Sequence, residues 1–270
     1  EDFEWMMEGY RKGIITDERL EEALTRILGT KAALGLHKKA KTEILPEKEV
    51  AMAKIGLEEN KAIAKEVSDK AITLVKNTQD VLPIAPEKTK RVLLVEAKGF
   101  DGGFGKFIEI MGGAKKKPIE IVKELLEAKG FDVEIWESPI DKIMKLPKEE
   151  MAQALGNVYA GKRPIAELTS KYDLIINIAN VNASVDQRLQ WPPSKGTPDI
   201  PFYVNEIPTI FISVKCPFHL ADVPQVKTYI NTYDDNQQTL EALVEKLVGN
   251  TEFKGISPVD AFCGFGDTRF

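Results

Sequence analysis

The 270-residue sequence is poor in the side chains that bind metals or form disulfides, with two histidines and two cysteines. His37 and His219 lie far apart and neither has a neighbour at metal-ligand spacing, so the sequence predicts no metal site. Cys216 and Cys263 are too few for a disulfide-rich secreted domain, and a single bridge and two buried thiols both stay open. Cys216 precedes a proline instead of opening a helix, which argues against a thiol protease.

Long apolar runs are also lacking, since none approaches the ~18 residues that a membrane span needs. No cationic excess is present either: the net charge is -5, which does not indicate nucleic-acid binding. Lysines cluster at 115–117, but acidic residues surround them, as on a solvated surface. A hydrophobic content of 43% and a charged content of 29% are those of an ordinary globular protein with one large core.

The glycine-rich segment 98–113 follows the first predicted strand, where a phosphate-binding loop would lie, but it matches neither nucleotide-binding pattern. The dinucleotide fingerprint would need a glycine at the position of Ile108. The P-loop pattern would need Ser or Thr directly after Gly105-Lys106, and Phe107 stands there instead. The segment is interpreted as a loop, and no cofactor is predicted.

The N-terminal part of the chain is predicted to be helical. One apolar stripe recurs at helical spacing: Leu20, Leu24, Ile27 and Leu28. Thr16 is a suitable N-cap for this helix and Gly35 a suitable end. The segment 35–55 is polar and irregular, which predicts a linker.

A second helix is predicted over 58–76. Its buried stripe would be Ile63, Val67, Ala71, Leu74 and Val75. Asp69, in a Ser-Asp pair that mimics a catalytic motif, would lie on the opposite face, and Lys65 stands four residues earlier, at the spacing of a weak exposed ion pair. Nothing on that face indicates catalysis, so Asp69 is predicted to be an exposed helix residue.

After Pro83 the pattern changes to short apolar runs separated by helical stretches. The runs predict strands at 91–96, 132–137, 173–181, 208–214 and, more weakly, 227–233. The stretches between them predict helices at 118–129, 148–159, 164–171 and 237–248. Strands that alternate with helices predict an α/β fold with a mostly parallel sheet and helices on both faces.

The loop 180–206 is the richest in side chains that contact ligands. It leaves the carboxyl end of a central predicted strand, where open α/β sheets bind ligands. Its candidates for a sugar cleft or a domain interface are Asn182, Asp186, Arg188 and Trp191. An interface is favoured, because Trp and Arg are frequent interface anchors. His219 follows another strand and could line the cleft, with a structural or interfacial use favoured.

Three segments of the chain resemble glycoside hydrolase family 3. Residues 13–36 resemble the segment that closes the family's catalytic barrel, and 62–84 its entry into the second domain, with Val75 in place of the usual leucine. Residues 205–262 are similar to the family's last third, with Phe218 in place of a tyrosine and a Gly-x-x-Pro-Val motif at 255–259. The resemblance covers most of the chain apart from 99–163.

This resemblance implies a six-stranded α/β sandwich beside a (β/α) barrel. Residues 1–56 would be the last helices of the barrel and a linker, and 57–270 the C-terminal sandwich domain. The family's Ser-Asp nucleophile motif and Lys-His-x-Pro-Gly stretch lie in the barrel and do not occur here, so no catalytic residue is expected in this chain. Its expected partners are the barrel of the same polypeptide and a carbohydrate, either an amino sugar or a glucoside.

β-Glucosidase-like members of the family are expected to donate an acid/base glutamate from the loop after the strand at 173–181. The stretch 174–205 contains no glutamate, and its only carboxylates after the strand are Asp186 and Asp199. The β-N-acetylglucosaminidase branch is therefore favoured. Two alternatives stay open: a stand-alone carbohydrate-binding or docking module, and the β-glucosidase branch with Asp186 as the acid.

The chain starts at Glu1 without a methionine, inside a predicted helix, so we expect a fragment of a longer protein. Any targeting segment would have preceded it. The sequence leaves the compartment open, with a secreted or cell-envelope location favoured over a cytoplasmic one.

Overall fold

The computed structural model of the protein describes residues 1–97, 99, 116–137, 142–143, 145–160, 165–181, 189 and 204–269. The chain divides into two compact units, Glu1–Lys61 and Ala62–Phe270. The first unit is helical and the second is built on a sheet.

The first unit consists of helices that expose their apolar side chains. Its elements are α1 (Asp2–Arg11), α2 (Asp17–Ala33), a 3-10 turn (Leu36–Lys38), α3 (Lys41–Ile44) and α4 (Lys48–Met52). The predicted N-terminal helix is confirmed as α2, and the Thr16 hydroxyl caps it by accepting from the backbone N–H of Arg19. The four residues of its apolar stripe are 37–59% exposed, and α1 to α4 contain no buried residue.

The second unit is built on a six-stranded sheet in the order β1-β6-β5-β4-β2-β3. The strands are β1 (Thr73–Asn77), β2 (Arg91–Ala97), β3 (Asp132–Ile135), β4 (Leu174–Ala179), β5 (Thr209–Ser213) and β6 (Thr228–Asn231). β1 is antiparallel to β6, and the other neighbouring strands are parallel. Every residue of β4 and β5 is buried, as expected of central strands that are covered on both faces.

Helices cover both faces of this sheet, which confirms the predicted α/β class. The helices described from Glu58 onward are α5 (Glu58–Ala71), α6 (Pro118–Ala128), α7 (Lys148–Ala160), α8 (Ile165–Lys171) and α9 (Gln237–Leu247). α6 and α9 pack on one face around the largest apolar cluster. On the other face, Leu168 of α8 and the segment 217–226 contact the sheet.

The helix predicted over 58–76 is wrong in its last part. α5 ends at Ala71, and the chain continues as β1, with Val75 as the extra residue of a β-bulge. The run Ile-Thr-Leu-Val is too short for its periodicity to separate helix from strand. Pairing with β6 decides the outcome, because β-branched and aliphatic side chains fit a half-buried strand.

The buried stripe predicted for this helix is wrong at Ile63 and Val67, whereas Leu74 and Val75, which lie in β1, pack against the apolar clusters of the sheet. Ile63 and Val67 are 60% and 59% exposed, whereas Ser68 is buried. The Ser68 hydroxyl accepts a hydrogen bond of 2.9 Å from Thr239 of α9. α5 therefore faces the sandwich with polar side chains.

Asp69 takes part in the same contact, and its predicted exposed pairing with Lys65 is wrong. The ammonium of Lys246 on α9 lies 2.8 Å from the Asp69 carboxylate. The Lys246 side chain is fully buried, and it also donates to the backbone carbonyl of Glu252 at 2.7 Å and lies over the Phe253 ring. The hydrogen bond from Lys246 lowers the pKa of Asp69. Asp69 thus anchors α5 to α9.

Gly255, the first residue of the Gly-x-x-Pro-Val motif, lies against the end of α5. A Cβ atom at this position would stand 2.5 Å from the carbonyl oxygen of Ile72 and 2.6 Å from that of Ala71. Backbone atoms cannot move aside as a flexible side chain would. The motif therefore begins with glycine because only a hydrogen fits at this position.

Replacing Asp69 by asparagine should lower the free energy of unfolding by about 1–3 kcal/mol, because the buried ammonium of Lys246 loses its counter-charge. The loss is smaller than for a fully buried pair, since water reaches part of the carboxylate. Urea unfolding of the chain measures the change. Glu66→Gln breaks the exposed pair with Lys70 on the same helix and should leave the stability nearly unchanged, because water and salt screen such a pair. Equal losses for the two variants would contradict the assigned anchor.

Gly255→Ala should destabilise the chain by about 1–3 kcal/mol, because its methyl group would overlap two backbone carbonyls. Gly266→Ala is the matched control, since a Cβ atom there meets nothing within 4 Å. Its effect should stay within about 0.5 kcal/mol. Thermal unfolding of both variants checks the difference. Similar melting temperatures would show that a methyl group can be accommodated at position 255.

Candidate functional site

The carboxyl edge of the parallel strands is the candidate site. β3 pairs with one edge of β2, and β4 pairs with the other edge. The order in which strands are added to the sheet therefore reverses between β2 and β4. Ligand crevices of open α/β sheets form at such a switch point. Gly99 follows β2 and lies so near Val181, just after β4, that an added Cβ would stand 2.8 Å from it. The loop 180–206 begins at this point.

The predicted residues Asn182, Asp186, Arg188 and Trp191 lie outside the described residues, as does all of the glycine-rich segment 98–113 except Gly99. Their use in a sugar cleft or an interface stays a prediction. The two ends of the loop are described: Asn180 and Val181 follow β4, and Val204 packs in the apolar cluster on one face of the sheet.

Three polar side chains converge at the edge from three neighbouring strand ends. Lys215, after β5, forms an ion pair of 3.0 Å with Asp235, after β6. The side-chain amide of Asn180 donates to the same carboxylate at 3.5 Å. Asp235 precedes the first turn of α9, where the helix dipole favours a negative charge. The group offers donors and an acceptor at the sheet edge, as contact with sugar hydroxyls requires.

The sequence pattern did not single out Lys215 and Asp235 as candidates. The available signal was their position, because each follows the end of a predicted strand within a few residues. Carboxyl ends of neighbouring parallel strands meet at one edge, so the strand order was needed to bring the two residues together.

His219 is fully buried instead of lining an open cleft. Its Nδ1 lies 2.8 Å from the Ser213 hydroxyl, which donates its own proton to the carbonyl of Cys216. Ser213 can therefore only accept from the ring, which places the imidazole proton on Nδ1. Nε2 is left as a buried acceptor with no partner among the described residues. Burial lowers the pKa of His219 to about 4, so the ring is neutral at neutral pH.

The residues around His219 form a buried support for the segment that crosses this face. Asn231 donates from its side chain to the carbonyl of Pro217 at 3.2 Å. Tyr229 stacks on Phe211 with ring centres 5.6 Å apart, and burial raises the pKa of its hydroxyl. A neutral, buried histidine in this setting holds the segment in place.

The cysteines and candidate metal ligands of the described chain do not form a second site. Cys216 is buried and Cys263 exposed, with no disulfide between them, and burial raises the pKa of the Cys216 thiol. Within the described ranges, no three His, Cys, Asp or Glu side chains are grouped as metal ligands. Of the helices in those same ranges, none is both long and apolar enough to cross a membrane.

A hollow of about 400 Å³ lies beside the first residue of β2 and the end of α8, away from the carboxyl edge. Both of its cationic groups are already paired: Arg91 with Asp173 at 2.6 Å, and Lys171 with Glu134 at 2.7 Å. A charged ligand would have to replace these partners, so the carboxyl edge is the better candidate.

Stability should fall as the pH drops from about 6.5 to about 4, partly because of His219. The unfolded chain takes up a proton on histidine near pH ~6.5, whereas the buried ring stays neutral to about pH 4. The contribution of the neutral His219 to the free energy of unfolding is complete above about pH 6.5 and is on the order of 3 kcal/mol. His219→Asn keeps a donor near Nδ1 but should flatten this part of the pH profile in urea unfolding. His37→Asn alters an exposed ring and should leave the slope intact; an unchanged slope in the first variant would contradict the assignment.

No family model matches the sequence. The Beta-N-acetylglucosaminidase/beta-glucosidase of Cellulomonas fimi is 37% identical over 273 aligned positions, which cover 100% of this chain and 43% of that protein. The solved structure of Beta-glucoside phosphorylase BglX is also 37% identical, with a TM-score of 0.67 over 99% of this chain and 43% of that one. Its structure bound to 2FGlc gives a TM-score of 0.66, covering 98% and 42%.

The chain thus spans about two fifths of the length of these relatives. Both matches extend over nearly the whole chain, and so include the three segments whose motifs resemble the family. This chain belongs to glycoside hydrolase family 3, as a partial region of the longer polypeptides found in its relatives.

Proposed function

We propose that this chain is the C-terminal, non-catalytic part of a retaining family 3 glycoside hydrolase of the β-N-acetylglucosaminidase type. Its role is to support the catalytic barrel and to form one wall of the sugar cleft. The observation that carries the proposal is coverage: the whole chain aligns with 43% of a relative named for N-acetylglucosaminidase and glucosidase activities. More than half of that relative is left for a separate catalytic domain.

The helices of the first unit support this proposal. α1 to α4 bury no residue, and the apolar stripe of α2 is largely exposed. Helices of this length gain most of their stability by packing an apolar face against another surface. A barrel in the same polypeptide would supply that surface, with residues 1–56 as its last helices and linker.

The distribution of titratable groups supports a non-catalytic role. Retaining glycosidases need a nucleophile and an acid/base about 5–5.5 Å apart, usually Asp or Glu. The stretch 174–205 contains no glutamate. At the described part of the carboxyl edge, Asp235 is held by Lys215, and His219 is neutral and buried. We therefore assign the catalytic pair to the barrel.

Phosphate is a second candidate acceptor for the full-length enzyme, in place of water. The support is the 37% identity with a structure named as a beta-glucoside phosphorylase. Hydrolysis would release the free sugar, whereas attack by phosphate would release a sugar 1-phosphate. This region has the same supporting role in either reaction.

The purified 270-residue chain should not turn over a chromogenic N-acetyl-β-glucosaminide or β-glucoside above the rate without protein, because the catalytic pair lies outside it. The full-length polypeptide, assayed in parallel, should release the chromophore. Turnover by the chain alone, with a rate proportional to its concentration, would overturn the non-catalytic role.

Assaying the full-length polypeptide with and without inorganic phosphate identifies the acceptor. A hydrolase would form N-acetylglucosamine at a rate independent of phosphate, and a phosphorylase would form the sugar 1-phosphate.

Calorimetry of the isolated chain with N-acetylglucosamine oligomers tests the binding-module alternative. Binding heat that Trp191→Ala abolishes would favour that alternative over the supporting role.

A further inference from the structure

A second hollow, of about 300 Å³, lies at the β3 edge of the sheet and has no part in the proposed function. It adjoins the hollow of about 400 Å³ at the start of β2, since three residues line both. The side chains that give this second hollow its chemistry are Glu134, Trp136, Glu137, Lys142, Lys171 and Tyr172. Its volume is at the lower end of the range of small-ligand sites.

The hollow is separate from the candidate site at the carboxyl edge. β3 is the last strand of the sheet, and β5 lies three strand spacings away, which is about 14 Å. Lys215 and Asp235 follow β5 and β6, on the far side of β4. Lys171 and Tyr172 precede β4, at the opposite end of that strand from Asn180. A ligand in this hollow would therefore leave the carboxyl edge free.

The aromatic wall of the hollow is held by the fold. The backbone N–H of Trp136 donates to the carbonyl of Leu94 at 2.7 Å, which fixes the residue at the end of β3. Its side chain is partly buried against the apolar cluster that contains Leu168 and Tyr172. Tyr172 itself is buried. Because this wall is in place before a ligand arrives, binding would not have to order it.

The charged side chains of the hollow neutralise one another. Lys171 lies 2.7 Å from Glu134, and Lys142 lies 3.2 Å from Glu137. Lys145, which is outside the hollow, also donates to Glu137 at 3.2 Å. The hydrogen bond from Lys171 lowers the pKa of Glu134, and that from Lys142 lowers the pKa of Glu137. Both carboxylates are thus ionised at neutral pH, and each has a cationic partner.

These pairs decide which class of ligand fits. An anion or a cation would have to replace a partner that is already bound. An apolar molecule would strip water from four charged groups without replacing its hydrogen bonds. A neutral molecule with several hydroxyl groups can donate to the carboxylates and accept from the ammonium groups while both pairs stay formed. The apolar C–H face of a sugar ring can also pack on an indole.

We propose that this hollow, here called the β3 pocket, is a second carbohydrate-binding site. A sugar ring packs on Trp136, and its hydroxyl groups bond to the ion pairs of Glu134 and Glu137. The pocket would add a binding role to the supporting role of the region. The use of amino sugars as probes rests on the proposed function, whereas the assignment of a neutral polyhydroxyl ligand depends on the pocket alone.

Calorimetry of the 270-residue chain with a tetramer of N-acetylglucosamine and with a β-linked glucose tetramer tests the β3 pocket. We expect binding heat with at least one of them, and Trp136→Ala should weaken that binding at least roughly tenfold, because it removes the aromatic wall. Trp5→Ala is the matched control: it removes an exposed tryptophan that does not line the pocket, and it should leave the affinity unchanged. No heat with either sugar would overturn the proposal.

Glu137→Gln provides a second test in case Trp136→Ala folds poorly, because the side chain of Glu137 is half-exposed and packs in no apolar cluster. It keeps the shape of the pocket but removes an ionised acceptor, so sugar affinity should fall. Glu66→Gln, which removes an equally exposed carboxylate on α5, should leave it intact. Equal affinities for these two variants would overturn the proposal.

Trp191→Ala separates the β3 pocket from the loop 180–206. Binding heat that Trp191→Ala abolishes and Trp136→Ala leaves intact would assign the sugar to that loop, and so overturn the proposal. Because these measurements need no turnover, the failure of the β3 pocket is distinguishable from a failure of the proposed function, which the assays of the full-length polypeptide test.

Discussion

The buried ammonium of Lys246 is the constraint on which the second unit depends. Its side chain is fully buried, and the carboxylate of Asp69, the carbonyl of Glu252 and the ring of Phe253 surround it. A buried charge without a counter-charge would cost several kcal/mol. α5 must therefore present Asp69 to α9, which fixes the rotation of α5 about its own axis and the point at which the chain enters the sheet.

Fixing α5 also fixes the edge of the sheet and, through it, the candidate site. β1 follows α5 directly, and its buried Lys76 donates to the carbonyl of Pro224 at 3.0 Å. This contact ties the edge strand to the segment 217–226, which crosses one face of the sheet. His219 in that segment contacts Ser213 at the end of β5. Separate polar contacts thus hold α5, the edge strand β1 and the segment 217–226, which are joined to one another by the chain and by the sheet.

The sequence predicts an element correctly where the pattern of neighbouring residues decides its structure. It fails where a contact with a residue far along the chain decides it. The parallel strands after Pro83 are short apolar runs between amphipathic helices, so pattern alone located them. β1 has a similar composition but follows a helix without a glycine or proline between them, and only pairing with β6 makes it a strand. The inward face of α5 was predicted wrongly for the same reason, because the partner of Asp69 lies on α9, far along the chain.

The candidate site was predictable in position but not in all of its residues. The loop after β4 leaves the switch point, as the topology rule requires, whereas Lys215 and Asp235 meet only because β5 and β6 are neighbours. Both side chains are partly exposed, so they can contact a hydroxyl group while still paired. Such contacts can position a sugar without moving a proton. If this region walls the cleft, as proposed, its chemistry therefore bears on which sugar is bound, and the bond-breaking step depends on groups that the rest of the polypeptide supplies.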